Sequence, residues 1–289
     1  MSNETHLRWK LEVPDLQEEG FCAWLEGGGS SAFYREADPP RVCYAYFPPG
    51  QAPPEALGLA AFSGVRLLEA EAFGDEDWLA KSREGFGDFE VGAHFHVRPL
   101  WDSEPAAPGR IDLVVNPGLA FGTGGHETTR LCMELLEELA VADRLRGAVL
   151  DIGAGTGILS LAAFLLGGRN LTAFDIDPDC GPAMDELIEL NAHLLKGARP
   201  YASFVGTLDH PRVQGPYAGL LANILLETIQ ELLPRMAEVA APGGWLVASG
   251  ILAERTDEAM VSLTTHGFRP QKVLQEGEWI AILAERVPA

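Results

Sequence analysis

The sequence has few cysteines and no long apolar run, and each shortage excludes a class of protein. There are only four cysteines, Cys22, Cys43, Cys132 and Cys180. They form no C-x-x-C pair and have no histidine at metal-ligand spacing, so neither a disulfide framework nor a metal site is predicted. The longest apolar run, "ILSLAAFLLG", is far shorter than the roughly 20 residues that cross a bilayer, and "MSNETHLRWKLEV" lacks a signal-peptide layout. We expect a cytoplasmic protein that does not associate with membranes.

Positive charge is also scarce. Lysine and arginine number 21 against 42 aspartates and glutamates, which gives a formal net charge of −21. Because nucleic-acid binding requires a concentrated basic face, we expect no direct contact with nucleic acid. The acidity favours a basic protein partner. It is equally consistent with a role in solubility alone, since net charge bears on association and not on fold.

The composition changes along the chain in a way that predicts three segments. Residues 1–72 contain short β-like runs, "LRWKLEV" and "RVCYAYF", around the helix-like "DLQEEGFCAWLEGG", which indicates a small N-terminal α+β domain. Residues 73–109 begin with a helix-like segment, continue with the alternating "FEVGAHFHV" and end in "DSEPAAPGR". We assign them to a connecting helix and linker. Residues 110–289 form the larger domain.

The larger domain alternates apolar strands with amphipathic helices. The predicted strands are "AVLDI", "LTAFDI", "YASFVG", "GLLAN" and "GWLVASG", and helix-like segments lie between or after them. Such a βαβ series predicts a parallel sheet covered by helices on both faces, with ligands bound outside the carboxyl ends of the strands. The last two runs, "QKVLQ" and "WIAILAER", are joined only by "EGE", so they predict an antiparallel hairpin.

The segment "VLDIGAGTGIL" reads as a strand, a glycine turn and a helix start. Gly153, Gly155 and Gly157 would allow the main chain to approach a ligand at a helix N-terminus. A dinucleotide fingerprint has the spacing G-x-G-x-x-G, whereas these glycines follow G-x-G-x-G behind the acidic Asp151. An acid at this point suits a ligand with a cationic end, such as S-adenosylmethionine, better than it suits phosphates. The alternative is a tight turn that binds nothing.

Two further strands end in polar residues. Asp175 follows Asp151 by 24 residues, about the distance at which an acidic side chain meets ribose hydroxyls in such folds, so we predict that it binds the ribose. The adjacent Asp177 is predicted to cap the next helix, with Pro178 at the first helical position. Asn223 ends "GLLAN", where its amide offers both donors and acceptors to a ligand or an incoming amine. A helix-capping role for Asn223 fits the spacing equally well.

The stretch "NPGLAFGTGGHETT", residues 116–129, has glycine or proline at five of fourteen positions and leads into the helix-like "RLCMELLEEL". A loop of this composition can fold over a ligand site, with the hydroxyls of Thr128 and Thr129 directed inward. His126 is a candidate catalytic base. The alternative is that His126 only makes local hydrogen bonds in the loop.

The segments "NPGLAFGTGGHETTRLC", "VLDIGAGTGILSLAA", "DIDP" and "ANILLE" followed by "APGGWLVASGIL" occur together and in order. With them the sequence, from about Phe73 onward, resembles the ribosomal protein L11 methyltransferase family. The resemblance implies a Rossmann-like, seven-stranded class I methyltransferase sheet with a smaller, ferredoxin-like N-terminal α+β domain that recognises the substrate. It also implies an S-adenosylmethionine-dependent enzyme acting on lysine and N-terminal amino groups of ribosomal protein L11. We expect the protein to be a monomer.

The family's cofactor contacts fall on Thr129, Gly153, Asp175 and Asn223 of this sequence. Two departures from the family pattern matter: "GHETT" stands where the family usually has T-H-P-T-T, and "AGTG" where it usually has C-G-S-G. The second is a common variant among related methyltransferases. The first departure changes the loop beside the reacting centre, so the efficiency of methylation or the range of target proteins could differ from that of the family.

Three other functions compete with this one. A related enzyme could methylate a lysine of another protein, such as the β-subunit of electron transfer flavoprotein. A ribosome-associated binding module of the same fold would bind the cofactor without turnover. An NAD-dependent oxidoreductase is disfavoured by the glycine spacing. Our catalytic candidates are Asn223 and His126.

Overall fold

The computed structural model describes residues 5–13, 32–35, 42–47, 65–74, 87–103, 106–116 and 125–288. The chain divides into two compact units, residues 1–85 and residues 86–289. The helix predicted over "DLQEEGFCAWLEGG", the helix-like start of the connecting segment from residue 75, and residues 117–124 of the glycine-rich loop lie outside the described residues. The domain boundaries at residues 72 and 109 stay predictions.

The first unit contains a four-stranded antiparallel sheet. Its strands are β1 (Thr5–Glu12), β2 (Ala32–Arg35), β3 (Val42–Phe47) and β4 (Arg66–Gly74), in the order β2-β3-β1-β4. This is the strand order of a ferredoxin-like sheet. Buried and partly buried side chains alternate along β1, as a half-buried strand requires. The buried ones pack with β3. The resulting small core contains Trp9, Leu11, Val13, Ala45 and Phe47.

The second unit begins with three short strands. They are β5 (Phe89–Val91), β6 (Phe95–Pro99) and β7 (Ile111–Val115); β6 pairs antiparallel with β5 and parallel with β7. The alternation in "FEVGAHFHV" therefore forms β5 and β6. The buried Glu137 fixes the turn between them, because its carboxylate accepts hydrogen bonds from Ala93 N and His94 N, both at 2.8 Å.

The main sheet of the second unit has seven strands. Its strands are β8 (Val149–Ile152), β9 (Leu171–Asp175), β10 (Tyr201–Val205), β11 (Tyr217–Asn223), β12 (Ala240–Leu252), β13 (Phe268–Glu276) and β14 (Trp279–Arg286). They lie in the order β10-β9-β8-β11-β12-β14-β13. Only β14 runs against its neighbours, and it lies between β12 and β13. The predicted parallel strands and the antiparallel terminal hairpin are thus confirmed.

Helices cover both faces of this sheet. They are α1 (Glu127–Val141), α2 (Ile158–Leu165), α3 (Cys180–Leu190), α4 (Ala192–Leu195), α5 (Leu226–Val239) and α6 (Thr256–Thr265). The first three bury apolar residues against one face, and α5 and α6 bury theirs against the other. The apolar stripe predicted for α1 is confirmed, because it is buried at Cys132, Leu135, Leu136 and Leu139. The Rossmann-like fold class is confirmed.

One predicted helix is broken. The segment "PAMDELIELNAHLL" forms α3 and α4 with Asn191 between them. The fully buried side chain of Asn191 donates to the carbonyls of Leu187 and Val114, at 2.9 and 2.7 Å, and accepts from Val114 N at 2.9 Å. The amide thus pairs with the backbone of β7 as a neighbouring strand would. This contact ties the end of β7 to the helical layer of the unit.

Candidate active site

A cavity of about 770 Å³ opens at the carboxyl ends of β8, β9 and β11. The chain continues from β8 to β9 on one side and later returns to β11 on the other, so this is the point at which the strand order reverses. Ligands of open α/β sheets bind at such a point. The wall includes the glycine loop after β8, residues 175–177 at the end of β9, residues 206–208, the start of α5, and Trp279.

The glycine loop has a backbone that only glycine adopts readily. Gly153, Gly155 and Gly157 have φ angles of 67, 55 and 81 degrees, in the left-handed region. A Cβ atom at Gly153 would lie 2.5 Å from Cγ2 of Ile224, across the loop. Gly153 and Gly155 line the cavity, whereas Gly157 caps the N-terminus of α2 and packs on Tyr201. The predicted glycines therefore have two roles: Gly153 and Gly155 form an open part of the cavity wall, and Gly157 precedes the first turn of α2.

Asp175 closes the loop from the neighbouring strand. One carboxylate oxygen accepts from Gly155 N at 2.9 Å, and the other accepts from Asp177 N at 3.0 Å. The side chain also lines the cavity. The predicted ribose-binding acid is thus held in place by two backbone amides while it remains accessible to a ligand.

The predicted cap at Asp177 needs a correction. The α-helix begins at Cys180 with Asp179 as its flanking residue, so it starts later than the Asp177-Pro178 pattern predicts. The carboxylate of Asp177 does accept from Asp179 N at 2.9 Å, and Cys180 N donates to the carbonyl of Asp177 at 3.2 Å. Asp177 thus stabilises a tight turn that precedes the helix. Pro182 delays regular helical bonding because it has no N–H to donate to the carbonyl of Pro178, and the first such bond runs from Ala183 N to the carbonyl of Asp179.

Asp151 lies behind the cavity wall. Its side chain is 2% exposed, and it accepts a hydrogen bond from Ser160 Oγ at 2.8 Å, in the first turn of α2. Burial raises the pKa of this carboxyl to about 7, and the nearby charge of Asp175 adds to the rise. Its neighbours Ile152 and Gly153 line the cavity. Asp151 therefore supports the loop from below, and its predicted direct contact with a ligand stays a prediction.

Asn223 carries the one described side-chain atom of the cavity wall that is buried and has no hydrogen-bond partner. Its Nδ2 donates to Thr129 Oγ1 at 3.3 Å, while its Oδ1 is buried and unpaired among the described residues. The alternative capping role is not observed, because α5 begins at Leu226 and Leu225 flanks it. Thr129 is fully buried and orients the amide. A buried acceptor without a donor is costly, so this oxygen points to a ligand that brings one.

His126 combines a local role with a place in the cavity wall. It is the N-cap of α1, where its Nδ1 accepts from Thr128 N at 3.3 Å and lies 2.9 Å from Thr128 Oγ1. Its ring meets that of Trp279 edge to face, with the centroids 5.1 Å apart. Burial lowers the pKa of His126, so the imidazole is neutral at pH 7. The local hydrogen bonding proposed as the alternative is present, and a catalytic role stays a prediction.

The start of α1 is also held from the terminal hairpin. Arg130 donates to the carboxylate of Glu276 on β13, with 2.6 Å between Nη2 and Oε1, and to the carbonyl of Gly125. The bidentate geometry makes this a strong, oriented contact. It fixes the segment that carries His126, Thr128 and Thr129.

Several wall residues escape sequence reasoning. Trp279 lines the cavity, as do the exposed apolar side chains of Ile176 and Leu225, whereas Thr128, which also lines it, was among the residues predicted to face inward. Ile176 and Leu225 follow the ends of β9 and β11, so their position after two strand ends is a signal that could have identified them. Trp279 begins β14, and no local pattern connects it with the glycine loop. Cys180 also lines the cavity; burial raises its pKa to about 12, so it is a protonated and unreactive thiol.

The described residues offer neither a membrane-spanning helix nor a metal site. No helix within the described ranges is both long and apolar enough to span a membrane. In the same part of the chain, no three histidine, cysteine, aspartate or glutamate side chains are grouped so that they could bind a metal ion. Cys132 and Cys180, the two cysteines whose side chains are described, are free and buried.

Comparisons with known proteins agree on one family. The sequence model of the family described as ribosomal protein L11 methyltransferase (PrmA) matches residues 57–287. The ribosomal protein L11 methyltransferase of Geobacter metallireducens is 32% identical over 286 residues, which cover 91% of each chain. The enzyme of the same name from Pelobacter propionicus is 38% identical over 216 residues, covering 73% of this chain and 67% of its own.

A solved structure supports the same relationship. The crystal structure of a ribosomal protein L11 methylase from Lactobacillus delbrueckii subsp. bulgaricus superimposes with a TM-score of 0.62 at 28% identity. The match covers 70% of this chain and 100% of that one. The similarity therefore extends from the motifs to the arrangement of the elements that carry them.

Proposed function

This chain belongs to the ribosomal protein L11 methyltransferase family, and from that membership we propose that it methylates lysine and N-terminal amino groups of ribosomal protein L11. It is an S-adenosylmethionine-dependent methyltransferase. The observation that carries the proposal is the buried Oδ1 of Asn223 beside the glycine loop, which has no hydrogen-bond partner among the described residues. An acceptor in that position suits an amine that brings N–H donors.

Three features of the cavity support its use as the cofactor site. Asp175 presents a fixed carboxylate at a strand end, which suits two ribose hydroxyls. Gly153 and Gly155 leave the backbone open, since a side chain at Gly153 would collide with Ile224. Thr129 would act through Asn223, which it orients. When bound, S-adenosylmethionine supplies a methyl group on a positively charged sulfur.

The protein's part in the chemistry is to hold a neutral amine in line with that methyl group. A free lysine has a pKa of about 10.4, and a partly dry, cation-containing cavity lowers it. Asn223 Oδ1 can accept a hydrogen bond from the amine and orient its lone pair. No strong base is required for this step. Alignment alone contributes up to about 7–11 kcal/mol in favourable intramolecular cases.

We assign the two functions of such an enzyme to different parts of the chain. Residues 110–289 would bind the cofactor and the reacting amine, and residues 1–72 would recognise the protein substrate. Residues 73–109 would connect these two domains. Two features support the division: the first unit has its own small core, and the cavity is built within the second unit. The net charge of −21 suits a basic partner. We propose that the enzyme acts as a monomer.

The test is mass spectrometry of purified ribosomal protein L11 after incubation with this protein and S-adenosylmethionine. We expect mass gains in steps of one methylene group, which also count the methyl groups transferred. An Asp175→Ala variant should produce no gain, because the carboxylate that would hold the ribose is missing. Cofactor binding without any gain would exclude L11 as the substrate. Other basic proteins, including the electron transfer flavoprotein β-subunit, would then be tested, and failure with all of them would leave a binding module.

A further inference from the structure

A buried carboxyl lies directly behind the cofactor cavity and contributes no atom to its wall. Asp151 is 2% exposed on β8, one residue from Ile152 and two from Gly153, both of which line the cavity. Its Oδ2 accepts from Ser160 Oγ at 2.8 Å. Ser160 belongs to the first turn of α2, the helix that Gly157 begins, so the carboxyl couples the strand end to the helix that the glycine loop precedes.

The groups that face Asp151 are neutral or negative. They are Asp175 on β9, Cys132 on α1 and Tyr201 on β10. Burial raises the pKa values of Cys132 and Tyr201, so both are protonated. Across the described residues, Asp151 has no ion pair with a lysine, arginine or histidine. A carboxyl in such a place holds its proton up to neutral pH, and burial raises its pKa to about 7.

A cation in the cavity would change this balance. A positive charge near a buried carboxyl favours the ionised form, and the low dielectric of the interior strengthens the effect. S-adenosylmethionine carries a sulfonium charge that S-adenosylhomocysteine, left after methyl transfer, does not have. The two ligands should therefore differ in their effect on the Asp151 proton.

We propose that Asp151 is a proton-linked positioning residue, ionised when S-adenosylmethionine is bound and protonated when S-adenosylhomocysteine takes its place. The inference rests on the proposed function of the cavity as the cofactor site. Linkage is reciprocal, so the ionised carboxylate favours the methyl donor over the spent product. The site would then release its product more readily, relative to the donor, as the pH rises.

The first test is isothermal titration calorimetry at pH 7 in buffers of different ionisation enthalpy. If the Asp151 pKa falls by about one unit, binding of S-adenosylmethionine releases about 0.4 proton more than binding of S-adenosylhomocysteine. The same fall increases the affinity ratio of donor over product roughly fourfold between pH 5.5 and 7. This pH range lies below the pKa of an α-amino group, which is about 7.7–8.0.

Two variants separate Asp151 from other titrating groups. Asp151→Asn should abolish the difference in proton release and flatten the affinity ratio. Ser160→Ala keeps the carboxyl but removes a hydrogen bond that favours its ionised form, so the midpoint of the pH dependence should move upward. His126 also lines the cavity and has a lowered pKa, but it is unchanged in both variants, so its contribution cancels.

The outcomes distinguish this inference from the proposed function. Equal proton release by the wild type and Asp151→Asn, with both binding the donor, would overturn the role of Asp151 and leave the cofactor site standing. If Asp151→Asn does not fold, Ser160→Ala decides: an upward shift supports the role, and an unchanged midpoint overturns it. If the wild-type protein binds no S-adenosylmethionine, the proposed function fails and the inference fails with it.

Discussion

The two sides of the cavity differ in how complete they are. On the β9 side, both carboxylate oxygens of Asp175 accept backbone hydrogen bonds, and Asp177 has a bond of its own. On the β11 side, the Asn223 amide has a donor bond to Thr129 and a buried acceptor with no partner among the described residues. The first side is organised before any ligand arrives. The second side becomes satisfied only when a ligand brings a donor.

This difference separates binding from reaction. A preorganised region costs little free energy to use, so the β9 side suits the larger ligand that must be held first. An unpaired acceptor is most useful where a group must be oriented for a short time, as an amine is before methyl transfer. We therefore expect changes on the β9 side to affect cofactor affinity, and changes on the β11 side to affect turnover.

The largest effect should come from the loop on the cofactor side. In Gly153→Ala the new Cβ would lie 2.5 Å from Cγ2 of Ile224, so Ile224, which itself lines the cavity, would have to shift. We expect affinity for S-adenosylmethionine to fall at least about 100-fold, close to 3 kcal/mol, in a calorimetric titration.

The matched control is Gly167→Ala. Gly167 also has a left-handed backbone, with φ 107 degrees, but no described atom lies within 4 Å of the position that a Cβ would occupy there. Strain of this kind costs about 1–2 kcal/mol of stability. The control should bind the cofactor as the wild type does. Equal losses of affinity in both variants would show that backbone strain, and not the collision with Ile224, is responsible.

The next effect concerns the two acids of the β9 side. Asp175→Asn keeps the size of the side chain but removes its negative charge. That charge strengthens the hydrogen bonds from two backbone amides and would strengthen those from the ribose. Hydrogen bonds to charged groups contribute about 1.5–3 kcal/mol, so we expect a loss of about 10- to 100-fold in cofactor affinity. Asp177→Asn should lose less than about threefold, because Asp177 lines the cavity but its carboxylate accepts from Asp179 N in the turn before the helix. Similar affinities for the two variants would contradict the assignment of the ribose to Asp175.

On the β11 side, Asn223→Ala should lower kcat about 30-fold, or about 2 kcal/mol, with less than about a fivefold change in cofactor affinity. Thr129→Val removes the hydroxyl that receives the Asn223 amide, and about a threefold loss in kcat is expected. Because Thr129 acts through Asn223, the double variant should be no slower than Asn223→Ala. Additive losses, measured by steady-state kinetics, would mean that the two residues act independently.

The smallest effect should come from His126. Asparagine is also a good N-cap, so His126→Asn preserves the start of α1 while removing the only imidazole of the described cavity wall. We expect less than about a threefold change in kcat and an unchanged pH profile of kcat/KM. A loss beyond about 100-fold, with the acidic limb of the profile removed, would instead identify His126 as a general base.

Much of the fold follows from patterns that the sequence displays locally. Parallel strands appear as short apolar runs, and the linker "EGE" is too short for a crossover, so the βαβ series and the terminal hairpin could be predicted. The break at Asn191 could not. It depends on Val114, which is 77 residues away and bonds to the Asn191 amide through its backbone. A local pattern contains no information about such a partner.

The site was predictable where it lies at strand ends. Gly153, Asp175 and Asn223 each follow or end a strand, and parallel strands bring their carboxyl ends together. The direction of Asp151 required one more step. Side chains alternate along a strand, so Asp151 shares a face with Val149, which packs in the core beneath α1 and α2. The position of Trp279 depends on the whole sheet, and no sequence neighbour identifies it.

The place of β14 in the sheet has a consequence for how the enzyme comes into being. The ribosome synthesises β14 after the other six strands, yet this strand lies between β12 and β13 and brings Trp279 to the cavity. From the completion of β12 until β14 emerges, a few seconds at about 5–20 residues per second, the growing sheet ends in an exposed edge. The glycine loop is already made during this interval, but one wall beside it is missing. The wall that carries Trp279 is therefore completed only when this late strand is inserted between β12 and β13.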